Sequence, residues 1–487
     1  MKQRKLMLAE YPLRSYEREL ALMELRGLLP DARTRENNGL ISVETSDPQA
    51  DHKLKRLTFF SRFRDNTGDW KPTVQHELES LESGQKGIRK IRYLTHGLHE
   101  YKGRFYPQLA KALMNAIGGG HGTVLDPFSG CGTLLLEAAL NGSPAVGVDI
   151  NPIGWMIARA KIASLRLGKK SIAKMRCKFC MECPVTKPVS SLSGGVNMEY
   201  LRRWFPEDNL REILQLDTEI QDSFSGNDSL FLKVVLSESL KRFSWQVPSE
   251  QRIRRRKDSP PNNVRKFFGE RLLSHLAKVE SLQHVQRISP PKANVLLGDA
   301  RALPIKSGSI DFVVTSPPYA TALPYIDADR LSLFFFGLVD RRKFTRLERD
   351  SIGNREISTS ARRMWEEQIP HARANDELPE EILDFLEEMR DRNMRANVGF
   401  RRRNTAALLC KYFLDMRSAI REMRRVLKPN GPVALVVGDN FTVAGETRME
   451  IPTARFINLI AQQNGFHLKR ELNTAPPTAY NIYSRNA

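Results

Sequence analysis

The stretch Thr123-Val-Leu-Asp-Pro-Phe-Ser-Gly-Cys-Gly-Thr133, continued as far as Asp149, decides the fold of this 487-residue chain. Thr123 to Asp126 is a short apolar strand that ends in a glycine-rich turn. Thr133 to Leu140 is predicted to be a helix, and Ala145 to Asp149 a second strand that ends in an acid. This order is a βαβ unit, which predicts a parallel sheet in an α/β domain.

The same rhythm of strands and helices returns later in the chain. Strands are predicted at Asn294–Asp299, Ile310–Thr315 and Pro432–Val437, and helices at Tyr412–Leu427 and Ile451–Gly465. We therefore expect one α/β sheet with helices on both of its faces, interrupted twice by long insertions.

Before this rhythm, the chain resembles a small α+β unit. Tyr16–Leu29 and His52–Phe63 are predicted helices, and Gly39–Glu44 is a predicted strand. The following residues are polar and rich in turn formers, which predicts a connector. The expected organisation is an N-terminal unit (1–63), a linker (64–92), two mainly helical insertions (161–290 and 340–405) and a core in three pieces (93–160, 291–339 and 406–487).

The charge of the chain favours a polyanionic partner. Lys plus Arg number 76 against 56 acidic residues, a net charge of +20. Two basic clusters, Arg254-Arg255-Arg256-Lys257 and Arg401-Arg402-Arg403, lie in the insertions and are candidates for nucleic-acid contact, the alternative being solvated helix faces. The aromatic residues Phe243, Trp245, Phe267 and Phe268 surround the first cluster and suggest base stacking.

Other compositional features point to a cytoplasmic protein with no membrane partner. No run of eighteen apolar residues occurs, and five cysteines in a chain this long do not form a disulfide framework. Cys177, Cys180 and Cys183 could supply three thiolates, but a fourth metal ligand is not evident, so no metal site is predicted.

The glycine-rich turn predicts a cofactor site. Glycine allows the backbone to approach a ligand closely, and the amides of the following helix then face its polar groups. Asp149 ends the next strand, where a carboxylate can accept both hydroxyls of a ribose. Neither the G-x-G-x-x-G fingerprint nor a P-loop is present.

Asp126-Pro-Phe-Ser-Gly-Cys-Gly-Thr133 resembles motif I of the S-adenosylmethionine-dependent amino-methyltransferases of DNA, and Thr315-Ser-Pro-Pro-Tyr319 resembles their catalytic motif IV. Asp149-Ile-Asn-Pro152, Gly298-Asp299-Ala300 and His99–Pro107 resemble motifs II, III and X. The resemblance implies a Rossmann-like class I methyltransferase fold with S-adenosylmethionine as cofactor. It places Asp126 near the methionine amine, Asp149 on the ribose and Asp299 on the adenine. The implied cofactor-binding residues are Tyr101, Phe105, Asp126, Pro127, Phe128, Gly130, Gly132, Thr133, Asp149 and Asp299.

The residue types of the Thr315–Tyr319 segment suit methylation of an exocyclic amine. Such an amine is a poor nucleophile because its lone pair is delocalised into the ring. The Ser316 hydroxyl and the Pro317 carbonyl can accept its hydrogens and hold the nitrogen closer to tetrahedral geometry, while the Pro317-Pro318 pair stiffens the loop. Tyr319 offers a face on which a flipped base can stack. Transfer is then a direct in-line displacement.

The resemblance favours cytosine N4 as the acceptor, because serine at the first position of the tetrapeptide is usual for that class. Asparagine or aspartate is typical of adenine-N6 enzymes, which remain an alternative. The motif order X, I, IV and the N-terminal unit are also similar to tRNA guanine-N2 methyltransferases, so RNA stays an alternative substrate. A non-catalytic nucleic-acid-binding protein is a third hypothesis. As a site-specific DNA methyltransferase, the chain is expected in a restriction-modification or defence system with partner proteins.

Overall fold

An antiparallel sheet forms the N-terminal part of the chain. The computed structural model describes residues 2–37, 39–65, 67–82, 85, 87–180, 196–248, 250, 254–285, 292–321, 325–396 and 398–473. The first elements are β1 (Lys2–Leu8), α1 (Ser15–Leu28), β2 (Arg33–Asn37), β3 (Leu40–Thr45), α2 (Ala50–Leu54), β4 (Phe60–Arg64), β5 (Trp70–Pro72) and α3 (Val74–Ser80). The strand order is β2-β3-β1-β4-β5, and every pair is antiparallel.

Part of the N-terminal prediction was wrong. The expected helix His52–Phe63 is the short helix α2 followed by strand β4, and the expected connector 64–92 contains β5 and α3. The apolar residues of this stretch fit either period, and pairing with β1, where Leu6 lies opposite Phe63, decides for a strand. The predicted helix α1 and strand β3 are confirmed.

The cofactor half of the core follows. It consists of α4 (Pro107–Gly118), β6 (Val124–Asp126), α5 (Thr133–Leu140), β7 (Ala145–Asp149) and α6 (Pro152–Ser164), preceded by a 3₁₀ turn at Leu94–Gly97. The first insertion is helical, as predicted, with α7 (Lys169–Cys180), α8 (Val196–Trp204), α9 (Glu207–Ser223), α10 (Gly226–Arg242) and α11 (Val264–Val285).

The second half of the core begins with β8 (Ala293–Leu297) and β9 (Phe312–Thr315), followed by a 3₁₀ turn at Asp327–Asp329 and α12 (Arg330–Phe335). The second insertion is also helical, with α13 (Arg341–Asp350), α14 (Thr359–Ala374), α15 (Glu380–Arg395) and α16 (Phe400–Arg403). The final elements are α17 (Thr405–Val426), β10 (Val433–Leu435), the hairpin β11 (Asn440–Ala444) and β12 (Thr447–Ile451), and α18 (Thr453–Gln463).

The central sheet is parallel and has the order β10-β9-β6-β7-β8. Both of its faces are covered by helices. Adjacent residues of β6 therefore pack in two different hydrophobic clusters. Val124 packs in the cluster that contains Leu134 of α5, whereas Leu125 packs with Met423 of α17. This arrangement is the predicted Rossmann-like α/β fold.

Helix α1 of the N-terminal unit is held against α4 by close packing and buried hydrogen bonds. A Cβ atom on Gly27 of α1 would lie 2.5 Å from the Ala116 carbonyl oxygen. The buried Glu24 carboxyl accepts the Asn115 amide at 2.7 Å, so the two helices cross at backbone contact. No helix in the described part of the chain is long and apolar enough to cross a bilayer.

Candidate active site

Motifs I and IV meet at the point where the strand order of the central sheet reverses. Strands β6 and β9 are neighbours, although the chain continues from β6 to β7 on the other side. Ligands of open α/β sheets bind at the carboxyl ends of the strands at such a point. The turn after β6 is motif I, and the loop after β9 is motif IV, so one crevice receives both.

A hydrogen bond joins the two motifs directly. The Thr315 hydroxyl donates to the Asp126 carboxylate at 2.5 Å, across 189 residues of sequence. Asp126 is only 2% exposed and also accepts the Phe128 amide at 3.2 Å. Burial raises the pKa of Asp126 to about 7, and the charge of Asp149 adds to this shift. Asp126 therefore lies beneath the crevice, where it positions both motifs.

The glycine-rich turn is shaped around Asp149. Gly130 has a φ of +48°, and its amide donates to one Asp149 oxygen at 2.6 Å while the Asn151 amide donates to the other at 2.8 Å. Burial raises the pKa of Asp149 to about 6. A Cβ atom on Gly130 would lie 3.1 Å from the Tyr101 ring, so glycine lets the motif X aromatic approach the turn.

Gly132 packs closely against α6, and its contact with the cofactor stays a prediction. Its φ is +75°, and a Cβ atom there would lie 2.6 Å from the Ala158 side chain of α6. This glycine allows α5 and α6 to pack closely. Gly132 is not among the residues that line the crevice.

Ser316 is held by the neighbouring strand. Its hydroxyl donates to the Val436 carbonyl at 3.0 Å, just beyond the parallel pair of Thr315 and Leu435. A hydroxyl that donates its proton in this way keeps lone pairs for accepting other donors. Ser316 lines the crevice, so these lone pairs are within reach of a bound amine.

The rest of the catalytic loop is fixed from three sides. The Tyr412 hydroxyl donates to the Pro318 carbonyl at 3.0 Å, and the Tyr319 amide donates to the Tyr325 hydroxyl at 3.1 Å. The Tyr319 ring lies against Gly438, where a Cβ atom would be 3.2 Å from the ring. Burial raises the pKa of Tyr319, so its hydroxyl is neutral at physiological pH.

Most of the predicted site residues share this crevice. Those that line it are Tyr101, Phe105, Pro127, Phe128, Gly130, Asp149, Asp299, Ser316, Pro317, Pro318, Tyr319 and Arg402. Those described outside its lining are Asp126, Gly132, Thr133, Arg254, Arg255, Arg256, Lys257, Arg401 and Arg403. The cavity that contains these residues is about 3550 Å³ and continues past motifs I and IV to the amino end of β10, at Asn430 and Gly431.

Residues 98–174 match the family model of an RMKL-like methyltransferase domain. Over 396 residues the chain is 24% identical to the Type II methyltransferase M.MvaI of Kocuria varians, covering 77% of this chain and 83% of that protein. It is 24% identical over 412 residues to the Type II methyltransferase M.BsoBI of Geobacillus stearothermophilus, covering 76% and 78% of the two chains. The Type II methyltransferase M.AvaI of Nostoc sp. is 25% identical over 382 residues, covering 72% and 74%. These similarities support an S-adenosylmethionine-dependent DNA methyltransferase family for the chain.

The crevice of this methyltransferase fits its cofactor, which carries cationic groups and ribose hydroxyls. Asp149, which lines the crevice, has no basic ion-pair partner in the described part of the chain, so its carboxylate can serve a ligand. Each Asp149 oxygen accepts one amide and keeps a second lone pair. The Ser129 hydroxyl, within the turn, is buried and lacks a partner among the described residues. The turn therefore has unused hydrogen-bonding capacity.

The Asp299 carboxylate accepts hydrogen bonds from the Arg301 guanidinium group. Arg301 donates to its two oxygens at 2.6 and 3.0 Å and also reaches Asp415 at 2.8 Å. Burial opposes ionisation, but the hydrogen bonds from Arg301 lower the pKa of Asp299. Asp299 is thus a fixed carboxylate at the crevice, and its contact with adenine stays a prediction.

The expected base-stacking aromatics of the first basic cluster were partly wrong. Phe243 and Phe268 are fully buried in the core of the insertion, because the helices of the insertion need a core of their own. Trp245 instead packs under the Arg255 guanidinium, 5.1 Å from ring centroid to carbon, and Phe267 lies under Arg242. The basic side chains of the cluster are largely exposed.

Two features of the active site were missed. Val436 and Gly438 follow β10, and the rule that carboxyl ends of parallel strands share one edge could have identified them. A cluster of buried charged and polar side chains next to motif X could not be predicted from the spacing of residues in the sequence. In it, Lys241 of α10 donates to Asp329 at 3.0 Å, and His99 lies 3.6 Å from the same oxygen. Despite burial, the charges of Lys241 and His99 hold the pKa of Asp329 at about 2.

The cysteines give no support for a metal centre. Cys177 and Cys180 lie on α7, and Cys183 lies outside the described residues. Within the described ranges, no group of three His, Cys, Asp or Glu side chains could hold a metal ion.

Proposed function

We propose that this methyltransferase modifies cytosine N4 at a specific sequence of double-stranded DNA, by direct transfer to a base flipped into the crevice. The observation that carries the proposal is the Ser316 hydroxyl, which donates to Val436 and shares the crevice with Asp149 and Tyr319. The Type II relatives favour a site-specific modification enzyme of a restriction-modification system.

In this mechanism the protein makes the amine of the base a better nucleophile. The Ser316 oxygen and the Pro317 carbonyl accept the two amine hydrogens, which localises the nitrogen lone pair for attack. Hydrogen bonds to Pro318 and Tyr319 keep the loop in place, so little reorganisation is needed when the base arrives. The flipped base stacks on Tyr319. Flipping costs the least free energy when the base is already weakly paired.

Asp149 and the glycine-rich turn orient the cofactor. When bound, S-adenosylmethionine supplies an electrophilic methyl group on a sulfonium. Asp149 accepts the ribose hydroxyls with its free lone pairs, and Tyr101 closes over the turn beside Gly130. The Asp126–Thr315 hydrogen bond fixes the spacing between cofactor and amine, because it joins the two motifs that hold them.

A basic surface on the first insertion supports DNA as the substrate. Arg255 donates to the Arg203 carbonyl at 3.1 Å, so the 254–257 stretch lies on the last turn of α8. At the first turn of α8, Asn197 accepts the Arg341 amide at 2.9 Å. We name the 254–257 stretch, α8 and α13 the basic platform. Its exposed basic side chains are Arg202, Arg203, Arg254, Arg255, Lys257, Arg342, Lys343, Arg346 and Arg349.

The basic platform suits the phosphates of a duplex. Its arginines are paired with acids only through exposed contacts, such as Arg346 with Asp350 at 3.4 Å, which contribute little and yield readily to phosphate. Both insertions contribute, since the 254–257 stretch belongs to the first and α13 to the second. Arg402 of the second insertion reaches the crevice itself.

The test is transfer of labelled methyl groups from S-adenosylmethionine to unmethylated plasmid DNA and, in parallel, to tRNA. Digestion to nucleosides and mass spectrometry then identify the product. We expect N4-methylcytosine in DNA. N6-methyladenine would refute the assigned base, and N2-methylguanosine in tRNA alone would refute the substrate.

The matched variant is Ser316→Ala. Because Ser316 acts on the amine, the variant should lower kcat by on the order of 100-fold, as loss of one preorganised hydrogen-bonding group does, with cofactor affinity unchanged. Equal loss of turnover and of cofactor affinity would contradict the assigned role.

A further inference from the structure

The hairpin β11–β12 begins directly beside the catalytic loop. The Asn440 amide of β11 donates to the Ala320 carbonyl at 3.0 Å, one residue beyond Tyr319. Gly438, two residues earlier, lies against the Tyr319 ring. The start of the hairpin is therefore fixed to the loop that receives the target base.

The turn of the hairpin is also held, so the hairpin is a rigid projection. The Gly445 amide donates to the buried Asn393 side chain at 2.9 Å. Arg392 donates to the Thr447 hydroxyl at 2.7 Å, and both partners belong to helix α15 of the second insertion. Anchors at both ends leave the hairpin little freedom to move relative to the crevice.

One face of the hairpin carries an exposed aromatic ring and a guanidinium group. Phe441 pairs with Glu450, and Val443 pairs with Arg448, so these four side chains share a face. Phe441 is 47% exposed, and the Arg448 guanidinium carbon lies 4.0 Å from its ring centroid. Both side chains line the same crevice as Ser316 and Tyr319.

We propose that Phe441 and Arg448 form a nucleobase platform for the DNA strand that leaves the active site. Phe441 stacks on an unpaired base next to the target base, and Arg448 contacts the adjoining phosphate. This inference rests on the proposed function, since a flipped base leaves its neighbours unstacked.

The chemistry of the pair suits this ligand. Every nucleobase presents a flat face to an aromatic ring, and a guanidinium group can lie on a ring and still donate to phosphate. Glu450 lies opposite Phe441 on the same face, so the phosphate is expected on the Arg448 side.

The test compares Phe441→Ala, Phe441→Trp and Arg448→Ala with the wild type and with Trp70→Ala. Trp70 is the control because it is a similarly exposed aromatic residue, at 37%, on β5 of the N-terminal sheet. Affinity for a fluorescein-labelled single-stranded DNA 20-mer is measured by anisotropy over a range of salt concentrations, with S-adenosylhomocysteine present. Circular dichroism and calorimetric affinity for S-adenosylhomocysteine monitor folding and the cofactor site.

Phe441→Ala should weaken DNA binding by about 5- to 150-fold, and Phe441→Trp should restore it. Arg448→Ala should reduce the slope of log affinity against log salt by about 0.7, one phosphate contact on a single strand. Trp70→Ala should bind as the wild type does. Loss within twofold for Phe441→Ala, or an equal loss for Trp70→Ala, overturns the proposal, as does an unchanged salt slope for Arg448→Ala.

The proposed function is decided separately, by methyl transfer from the wild type to DNA or tRNA. If the wild type methylates DNA and the hairpin variants bind normally, only the nucleobase platform fails. If Phe441→Ala weakens binding of an RNA 20-mer and leaves DNA binding unchanged, the platform as a DNA site is overturned.

Discussion

Acidification from pH 7 to pH 5 should weaken cofactor binding, because Asp126 and Asp149 become protonated in the ligand-free protein over this range. Burial raises the pKa of Asp149 to about 6 and that of Asp126 to about 7. A cationic ligand favours the ionised carboxylates, so binding must remove these protons at low pH. Affinity is therefore full above both pKa values and is lost as the pH falls through them.

The magnitude follows from the ionised fractions. A carboxyl group with a pKa of about 6 is roughly 90% ionised at pH 7 and roughly 9% at pH 5, so Asp149 alone predicts about tenfold weaker binding. If Asp126 must also ionise, its pKa of about 7 adds a further factor of about 50. The methionine amine of the ligand stays protonated over this range, since α-amino groups titrate near 8.

Isothermal titration calorimetry with S-adenosylhomocysteine at pH 5, 6 and 7 measures this dependence. Titrations in buffers of different ionisation enthalpy count the protons released. Asp149→Asn should bind S-adenosylhomocysteine more weakly at pH 7. It should also lose the part of the pH dependence of affinity that is due to ionisation of Asp149. Affinity that stays constant within twofold from pH 5 to pH 7 would refute the reasoning. The ligand-free protein should show the opposite trend, because a raised carboxyl pKa stabilises the fold at low pH and this contribution is lost as the pH rises through 6 and 7.

Three further predictions concern packing, the link between the motifs, and DNA. Gly132→Ala should lower the free energy of unfolding by about 2 kcal/mol, from overpacking against α6 and a positive φ, which urea denaturation measures; a change below 0.5 kcal/mol would contradict the close approach. Thr315→Val removes the donor to Asp126 and should cost about 1–3 kcal/mol of stability and lower kcat, whereas Thr315→Ser should retain both; equal behaviour of the two variants would exclude the hydrogen bond as the cause. The double variant Arg255→Ala and Lys257→Ala should reduce the slope of log affinity for duplex DNA against log salt by about 1.8. An unchanged slope in this salt titration would show that the basic platform does not contact the DNA.

The sequence was sufficient for the centre of the fold because its signals are local. The strand before Asp126, the helix after it and the strand ending at Asp149 each carry their own pattern, and the bounds of α5 and β7 agree with the prediction. Motifs I and IV converge because they follow the carboxyl ends of neighbouring parallel strands, β6 and β9. The Asp126–Thr315 hydrogen bond expresses that convergence.

What could not be predicted depends on pairing partners distant in sequence. Phe63 and its neighbours fit a helix or a strand equally well, and only the contact with Leu6 of β1 decides. Phe243 and Phe268 could have been surface aromatics, but the helices of the insertion need a core and bury them. For the same reason the role of Asp329 was hidden, since its cation Lys241 lies 88 residues earlier, in the other half of the chain.

The two insertions extend the site without disturbing it because they pack against the outer layer of the core. Closing a long loop costs free energy only with the logarithm of its length, so insertions between strands are tolerated when they form their own core. The first packs on α6 and places Lys241 against the loop after motif IV; the second packs on α17, whose Tyr412 holds Pro318. The first insertion thus contacts the segment after motif IV through Lys241, and the second places Gly353 against the catalytic loop, where a Cβ atom would lie 3.1 Å from Pro318. Tyr412→Phe removes the hydrogen bond to the Pro318 carbonyl and should lower kcat with DNA affinity retained. An unchanged kcat would show that this hydrogen bond does not contribute to turnover.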